Sequence, residues 1–272
     1  MDSPTAPTGR GGPAQGSFES DGGHGSPTAR ELVRLQQTLY ESRNPTRRWL
    51  HRTRKDWVEE RIRKVGHGGA ALEVGPGSGV YLPVLQEAFS SVVATDIQAA
   101  HLQDLKPRFP NVRLVEDDIT STRMEPESFD FILCSEVIEH IRDSEKAIGQ
   151  MTRLLRPGGA LLLTTPQRFS TLELASKVAF LPFVVPVVRM VYREPVLKQG
   201  HVNLLTRKEA RRQLFLAGLG IEEEHLTGVY LPLLAEFGGE MGRRVAERME
   251  GPLRRGFMRW ILWTQYYLAR KG

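Results

Sequence analysis

An α/β fold built around a mostly parallel sheet is what this sequence predicts, and three observations carry the prediction. From about Gly68 onward, short apolar runs alternate with helical segments, as expected when strands and helices take turns around a parallel sheet. A glycine-rich turn, Glu73-Val74-Gly75-Pro76-Gly77-Ser78-Gly79, falls where the first strand would pass into a helix. The 272 residues are 40% hydrophobic and 25% charged, which fits one globular domain with appendages.

Residues 1–29 hold seven glycines and four prolines with almost nothing to bury, and such a composition predicts a disordered tail. Residues 30–66 read as a helical arm rich in arginine, with Asn44 as N-cap and Pro45 in the first turn of its second helix. Trp49, Leu50, Trp57, Val58, Ile62 and Val65 recur there at helical spacing. The core domain takes residues 67–272. Strands are predicted over 70–74, 91–95, 112–115, 129–134 and 160–165, all short and mostly apolar, as buried parallel strands are. A helix over 144–155 stops at Arg156-Pro157-Gly158-Gly159, read as a helix stop followed by a tight turn. Residues 170–203 form an apolar, proline-punctuated insertion whose periodicity fits neither helix nor strand, and they read as a lid. Thr206 and Glu209 then make a capping box, Gly218 closes that helix, and a sixth strand is expected over 221–226. An amphipathic stretch over 243–249 and an aromatic-rich tail lead to a closing strand near 265–269.

The net charge of +5 is a mild basic excess that scattered arginines account for. Cys134 is the single cysteine, so no disulfide forms within the chain, and no Cys cluster or HExxH pair suggests a metal. A reducing, cytoplasmic setting is the expectation. The most apolar stretch is interrupted by Pro182, Pro186 and Arg189, too short a run for the ~20 apolar residues that cross a bilayer. Peripheral contact with a membrane stays open.

Gly75, Gly77 and Gly79 would let backbone N–H groups and a helix N-terminus approach a ligand closely. The dinucleotide fingerprint is G-x-G-x-x-G; here the third glycine comes one residue early and Glu73 precedes the turn, a spacing that disfavours a nicotinamide enzyme. Asp96, with Ile97 next to it, follows the second strand, where a carboxylate can accept bonds from ribose hydroxyls. Asp118 stands at the end of the third strand, positioned for an adenine amino group, with Ile119 to flank the ring.

With these residues the sequence resembles the class I methyltransferases that use S-adenosylmethionine (SAM), and among them the small-molecule group that includes the quinone O-methyltransferases. The matching text is Leu72 to Gly79, Thr95-Asp96, Glu116-Asp117-Asp118-Ile119, Ser128-Phe129-Asp130, Ser135-Glu136-Val137-Ile138-Glu139-His140 and Leu154-Leu155-Arg156-Pro157-Gly158-Gly159. The resemblance implies a Rossmann-like sheet of seven strands, the last antiparallel, with helices on both faces. It implies that Glu73 and the glycines lie at the methionine end of SAM, Asp96 at the ribose, and Asp118 with Ile119 at the adenine. Ser135 and Glu136 would line the floor of the site near the methyl group.

An oxygen nucleophile benefits from a general base, and His140 and His201 are the candidates. His201 lies in Gln199-Gly200-His201-Val202-Asn203, similar to a segment many relatives place before the capped helix. Tyr40, Arg47, Arg48 and Trp49 of the arm would either cover the cofactor or pack with a solvated basic face. A small-molecule acceptor with a hydroxyl group is the leading expectation. Nucleic acid is disfavoured, because the segment after the fourth strand reads Ser135-Glu136-Val137-Ile138 and not Asn/Asp-Pro-Pro-aromatic. The alternatives are a non-catalytic SAM-binding protein and a methyltransferase of RNA or protein.

Overall fold

The structure, a computed structural model, describes residues 38–179 and 201–272. The tail expected over 1–29, the start of the arm and the heart of the apolar insertion, with Phe180, Phe183, Val184 and Tyr192, lie outside the described residues. The strands are β1 (Ala70–Val74), β2 (Ser91–Asp96), β3 (Arg113–Glu116), β4 (Phe129–Ser135), β5 (Leu155–Pro166), β6 (Leu219–Thr227) and β7 (Thr264–Lys271). They form one sheet in the order β3-β2-β1-β4-β5-β7-β6. All neighbouring pairs run parallel except those made by β7, which lies antiparallel to both β5 and β6.

Among the described residues the α-helices are α1 (Pro45–Val65), α2 (Leu82–Ala88), α3 (Ala99–Gln103), α4 (Ser144–Leu154), α5 (Thr171–Ala179), α6 (Arg207–Leu216), α7 (Pro232–Phe237) and α8 (Gly239–Arg255). Their boundaries follow local chemistry. Asn44 accepts from the amides of Thr46 and Arg47 and so opens α1. Thr206 and Glu209 complete the capping box of α6, and Gly218 follows with φ of +82°.

Alternate residues of each strand feed opposite faces, and helices cover both. Ala71, Phe131, Leu133 and Leu162 pack with Trp57, Val58 and Ile62 of α1 and with α2. Leu72, Ile132, Cys134 and Leu161 pack with Ile148 and Met151 of α4 and Leu214 of α6. Both faces of the central strands are therefore dry, and each large apolar side chain buried this way contributes about 1.5–3 kcal/mol. The Cys134 thiol is fully buried, which pushes its pKa up and leaves it a small hydrophobic group.

Two sequence expectations are corrected. Arg156-Pro157-Gly158-Gly159 is not a tight turn between elements but an irregular opening of β5: Leu155 pairs with Phe129, Ala160 with Phe131, and Gly158 takes φ of +76° to absorb the extra residues. The insertion also starts in regular structure, since Ser170 Oγ accepts from the Glu173 amide and begins α5. Its amphipathic turn was hidden by the prolines that follow it in sequence.

Candidate active site

Parallel register brings Val74, Asp96, Glu116 and Ser135 to the same edge of the sheet. After β1 the chain moves outward to β2 and β3 and then returns to place β4 on the other side of β1. The crevice at such a reversal, outside the carboxyl ends of the strands, is where open α/β sheets bind ligands. The glycine turn follows β1 here. Gly75, Gly77 and Gly79 all have positive φ, of +65°, +52° and +74°.

The three glycines do different work. A Cβ on Gly75 would sit 2.5 Å from Val137 Cγ2, so the turn lies directly on the segment that follows β4. A Cβ on Gly79 would meet Phe109 at 2.8 Å and Leu105 at 2.9 Å, which makes its absence a requirement of helix–sheet packing as well as of the turn.

Glu73 is the penultimate residue of β1 and is buried, and its Oε2 has no hydrogen-bond partner among the described residues. Burial pushes its carboxyl up to about 8. A buried acceptor left unmade is costly in an isolated protein and is the mark of a group kept for a cationic or donating ligand.

Asp96 Oδ1 accepts from the Gln98 amide at 2.9 Å and meets His101 Nδ1 at 3.1 Å, while the other oxygen makes no hydrogen bond among the described residues. The bond to Asp96 raises the His101 pKa. Ile97 beside it is 63% exposed, an apolar side chain open at this end of the sheet. Asp118 lies two residues beyond β3; its Oδ1 accepts from the Thr120 amide and hydroxyl, both at 2.8 Å, which fixes the turn and leaves the second oxygen without a hydrogen bond among the described residues. Ile119 is placed differently from the expectation, buried in the core with Leu72, Val74 and Ile138. The exposed apolar side chain at this end is Ile97.

Around Ser135 and Glu136 the structure brings in residues that the sequence did not single out. Ser135 Oγ lies 2.9 Å from Thr164 Oγ1, which donates to Glu136 Oε1 at 3.1 Å. Glu136 itself adopts φ of +57°, a strained conformation for glutamate. Its other oxygen accepts from Arg54 Nη1 of α1 at 2.7 Å. Arg54 is nearly buried, packs its guanidinium 5.3 Å from the centroid of the Trp263 ring, and meets His51 Nδ1 at 3.2 Å. Tyr81 is buried beside this cluster, close to Ser135, and burial raises its pKa. The arm thus reaches the site, though through Arg54 and His51. Arg47 pairs instead with Glu236 of α7 at 3.1 Å, and Arg48 donates to the Ser42 carbonyl. The available signal was an arginine on the apolar stripe of a helix, since Leu50, Arg54, Trp57, Val58 and Ile62 share the buried face of α1.

The two candidate histidines come together. His140 closes a 3-10 turn (Ile138–His140) after β4, and the amides of Val202 and Asn203 both donate to the Glu139 carbonyl at 3.0 Å. Asn203 Nδ2 adds bonds to Ser144 Oγ and to the carbonyls of Ile141 and Arg142. These bonds bring the His140 and His201 rings to 5.2 Å between centroids. His201 Nδ1 lies 3.3 Å from the buried carboxylate of Glu173. Glu139, buried and bonded by the Thr165 hydroxyl, is driven well above the ordinary carboxylate range by burial and by Glu136. Among the described residues Glu139, His140 and His201 bring ligand-type atoms within 4.8 Å of one another, a group able to hold a divalent cation.

Residues 46–224, about two thirds of the chain, match the model of a methyltransferase-domain family, and the chain belongs to that family. It is 27% identical over 195 residues to a Mycolicibacterium smegmatis protein named as a probable S-adenosylmethionine-dependent methyltransferase, covering 71% of this chain and 68% of that one. It is 28% identical over 120 residues to the ubiquinone biosynthesis O-methyltransferase of Pseudomonas fluorescens, covering 42% of this chain and 51% of the relative, so the chain matches about half of that protein's length. In fold it is similar to the N-methyltransferase NodS of Bradyrhizobium japonicum, with a TM-score of 0.52 at 16% identity over 81% of this chain and 96% of that one. The enzyme is a class I methyltransferase, and SAM is its cofactor. The residues present fit that molecule: an unpartnered buried carboxylate oxygen, a glycine turn with positive φ, a free carboxylate oxygen at each of the next two strand ends, and the exposed Ile97.

Proposed function

We propose that the enzyme methylates a hydroxyl oxygen of a small, largely apolar molecule, with His201 taking the hydroxyl proton. One observation carries this reading: His201 stands beside His140 next to the segment that follows β4, with a buried carboxylate, Glu173, on its Nδ1. A carboxylate on Nδ1 fixes the ring orientation and makes Nε2 the basic nitrogen. The sulfonium methyl of SAM is electrophilic, so the protein's task is to align an acceptor with the C–S bond and to keep water out. Glu73 would take the methionine end, Asp96 the ribose and Asp118 the adenine amino group. Gly75 keeps the turn flat against Val137, and Arg54 holds the Glu136 side chain that forms the floor. His201 Nε2 would take the hydroxyl proton as the oxygen–carbon bond forms and the C–S bond breaks, with S-adenosylhomocysteine leaving, and would pass the proton on to solvent. Phe169, two residues before α5, and Leu174, next in sequence to the Glu173 that meets His201, are 48% and 42% exposed and would offer apolar surface to the acceptor.

The test is release of S-adenosylhomocysteine over a panel of phenols, quinols and aliphatic alcohols. With an active acceptor, His201→Ala is expected to lower kcat by about 10²–10⁴-fold while SAM binds as in the wild type. A variant within threefold of wild type at neutral pH would remove His201 from the role. Binding of SAM without release on any acceptor would favour a non-catalytic binding protein.

The Glu139, His140 and His201 group supports a second reading, in which a divalent cation polarises the acceptor oxygen. Dialysis against a chelator separates the two: the base reading expects activity to persist, the cation reading expects it to fall and to return with added metal.

A further inference from the structure

Helix α8 buries Gly242, Ala246 and Glu250, the last accepting from the Gly228 amide at 2.9 Å. Its opposite face is turned outward. There Met241, Arg244, Arg248, Pro252 and Arg255 recur in steps of three and four, all exposed, and so form one stripe along the helix. Glu240 and Glu247 on the flank are engaged by Arg243 at 2.6 and 2.9 Å. Arg244 has only a 3.7 Å contact with Glu240, and Arg248, Arg255 and Arg259 make no ion pair or hydrogen bond among the described residues.

Exposed apolar side chains bracket this basic stripe. Leu233, Phe237 and Met241 precede it at 77%, 70% and 76% exposure, and Phe257 and Trp260 follow it at 88% and 46%. The first group is held, not loose. A Cβ on Gly242 would lie 2.1 Å from the Leu234 carbonyl oxygen, so α7 is seated directly on α8 and its outer side chains have nowhere inward to turn. The α8 helix packs on α1, and α7 on α5, so the surface belongs to the same body as the site.

We propose that this face of α8, with the apolar side chains at its two ends, docks on an anionic membrane surface. Charge complementarity selects lipid over protein as the occupant. The stripe itself carries arginines and no carboxylate, and apolar and aromatic side chains stand at both ends, the combination of cationic and apolar side chains by which helices lie on anionic headgroups. Guanidinium groups pair with phosphate oxygens bidentately, and aromatic and apolar side chains beside them enter the headgroup boundary. The inference is independent of which acceptor is methylated.

Flotation of the full-length protein with phosphatidylcholine vesicles, with and without phosphatidylglycerol, tests it. The wild type is expected to float with the anionic vesicles, to ignore the neutral ones, and to be released by salt. Each arginine near such a surface contributes roughly fivefold to partitioning, so R244Q/R248Q/R255Q is expected to lose on the order of a hundredfold. F257S/W260S is expected to weaken partitioning while keeping its salt dependence. SAM titration of both variants verifies that they fold. Failure of the wild type to float, or flotation of the folded triple variant at the wild-type level, would overturn the proposal; an unfolded triple variant leaves the decision to F257S/W260S, whose undiminished partitioning would overturn it equally.

Discussion

At the scale of the residue, Glu73 is the group whose environment makes the sharpest demand. Its carboxyl titrates near 8 when buried and unpartnered, far above the ordinary carboxylate. A raised folded-state pKa contributes stability that is complete below the unfolded value of about 4.5 and is lost as pH rises through about 8. Ligand-free wild type is therefore expected to lose thermal stability across that window, and Glu73→Gln to lose much less. SAM brings an ammonium group, so its binding is expected to expel the Glu73 proton at neutral pH. Calorimetric titration in two buffers of different ionisation enthalpy reads that proton: the apparent binding enthalpy should depend on buffer for the wild type and not for Glu73→Gln. Buffer-independent wild-type enthalpies would mean that SAM binding does not expel a proton from Glu73. Gly75→Ala is a second residue-level expectation. Both its φ of +65° and the 2.5 Å approach to Val137 oppose a side chain, a strain of about 1–3 kcal/mol. SAM affinity is expected to fall at least tenfold, with partial recovery when Val137→Ala is added. The placement of the acids and glycines at one edge of the sheet was legible in the sequence because each is tied to the end of a local strand. Ile119 was not, since exposure depends on the element packed above it, and it is Ile97 that stays open.

At the scale of the element, α1 shows what local periodicity can and cannot report. Its start was readable from Asn44-Pro45, and its apolar stripe from Trp57, Val58 and Ile62. That the same stripe delivers a charge to Glu136, far along the chain, was not readable, because the partner is set by the sheet and not by the helix. The histidines repeat the lesson: each was identifiable alone, but their 5.2 Å approach needs the Val202 and Asn203 amides on the Glu139 carbonyl. The Arg54–Glu136 pair is nearly buried, with side chains 8% and 19% exposed. Removing one partner of such a pair strands the other charge and costs about 3–5 kcal/mol. We expect Arg54→Met and Glu136→Gln each to destabilise markedly in urea unfolding, and the double variant to lose clearly less than the sum. Additivity within about 0.5 kcal/mol would show that the pair does not anchor α1 to the site.

At the scale of the whole molecule, the sheet order makes the C-terminal strand an interior one. The alternation of strand and helix up to β5 was legible because each strand pairs with a near neighbour in sequence. An antiparallel last strand was expected only through family resemblance, and its insertion between β5 and β6 was not foreseen, since nothing local in its residues states which strands it will separate. That placement has a consequence for stability. Seven consecutive residues of β5, from Ala160 to Pro166, pair with β7, and β6 joins the sheet only through β7. Tyr266, Tyr267 and Leu268 are buried there, with Tyr266 and Leu268 in the core on one face and Tyr267 in the core on the other. Deleting residues 264–272 would leave an open edge on β5, release β6, and remove side chains from both cores at once, each worth about 1.5–3 kcal/mol. A domain whose net stability is about 5–15 kcal/mol is not expected to survive that loss. The truncated chain should show no cooperative heat-absorption peak and a collapsed near-ultraviolet circular dichroism signal. Deleting residues 1–29, whose composition offers nothing to bury, should leave the melting temperature within a degree or two. A cooperative transition in the C-terminal truncation would mean that β5 and β6 can close on each other directly, and that the antiparallel strand completes the sheet without holding it.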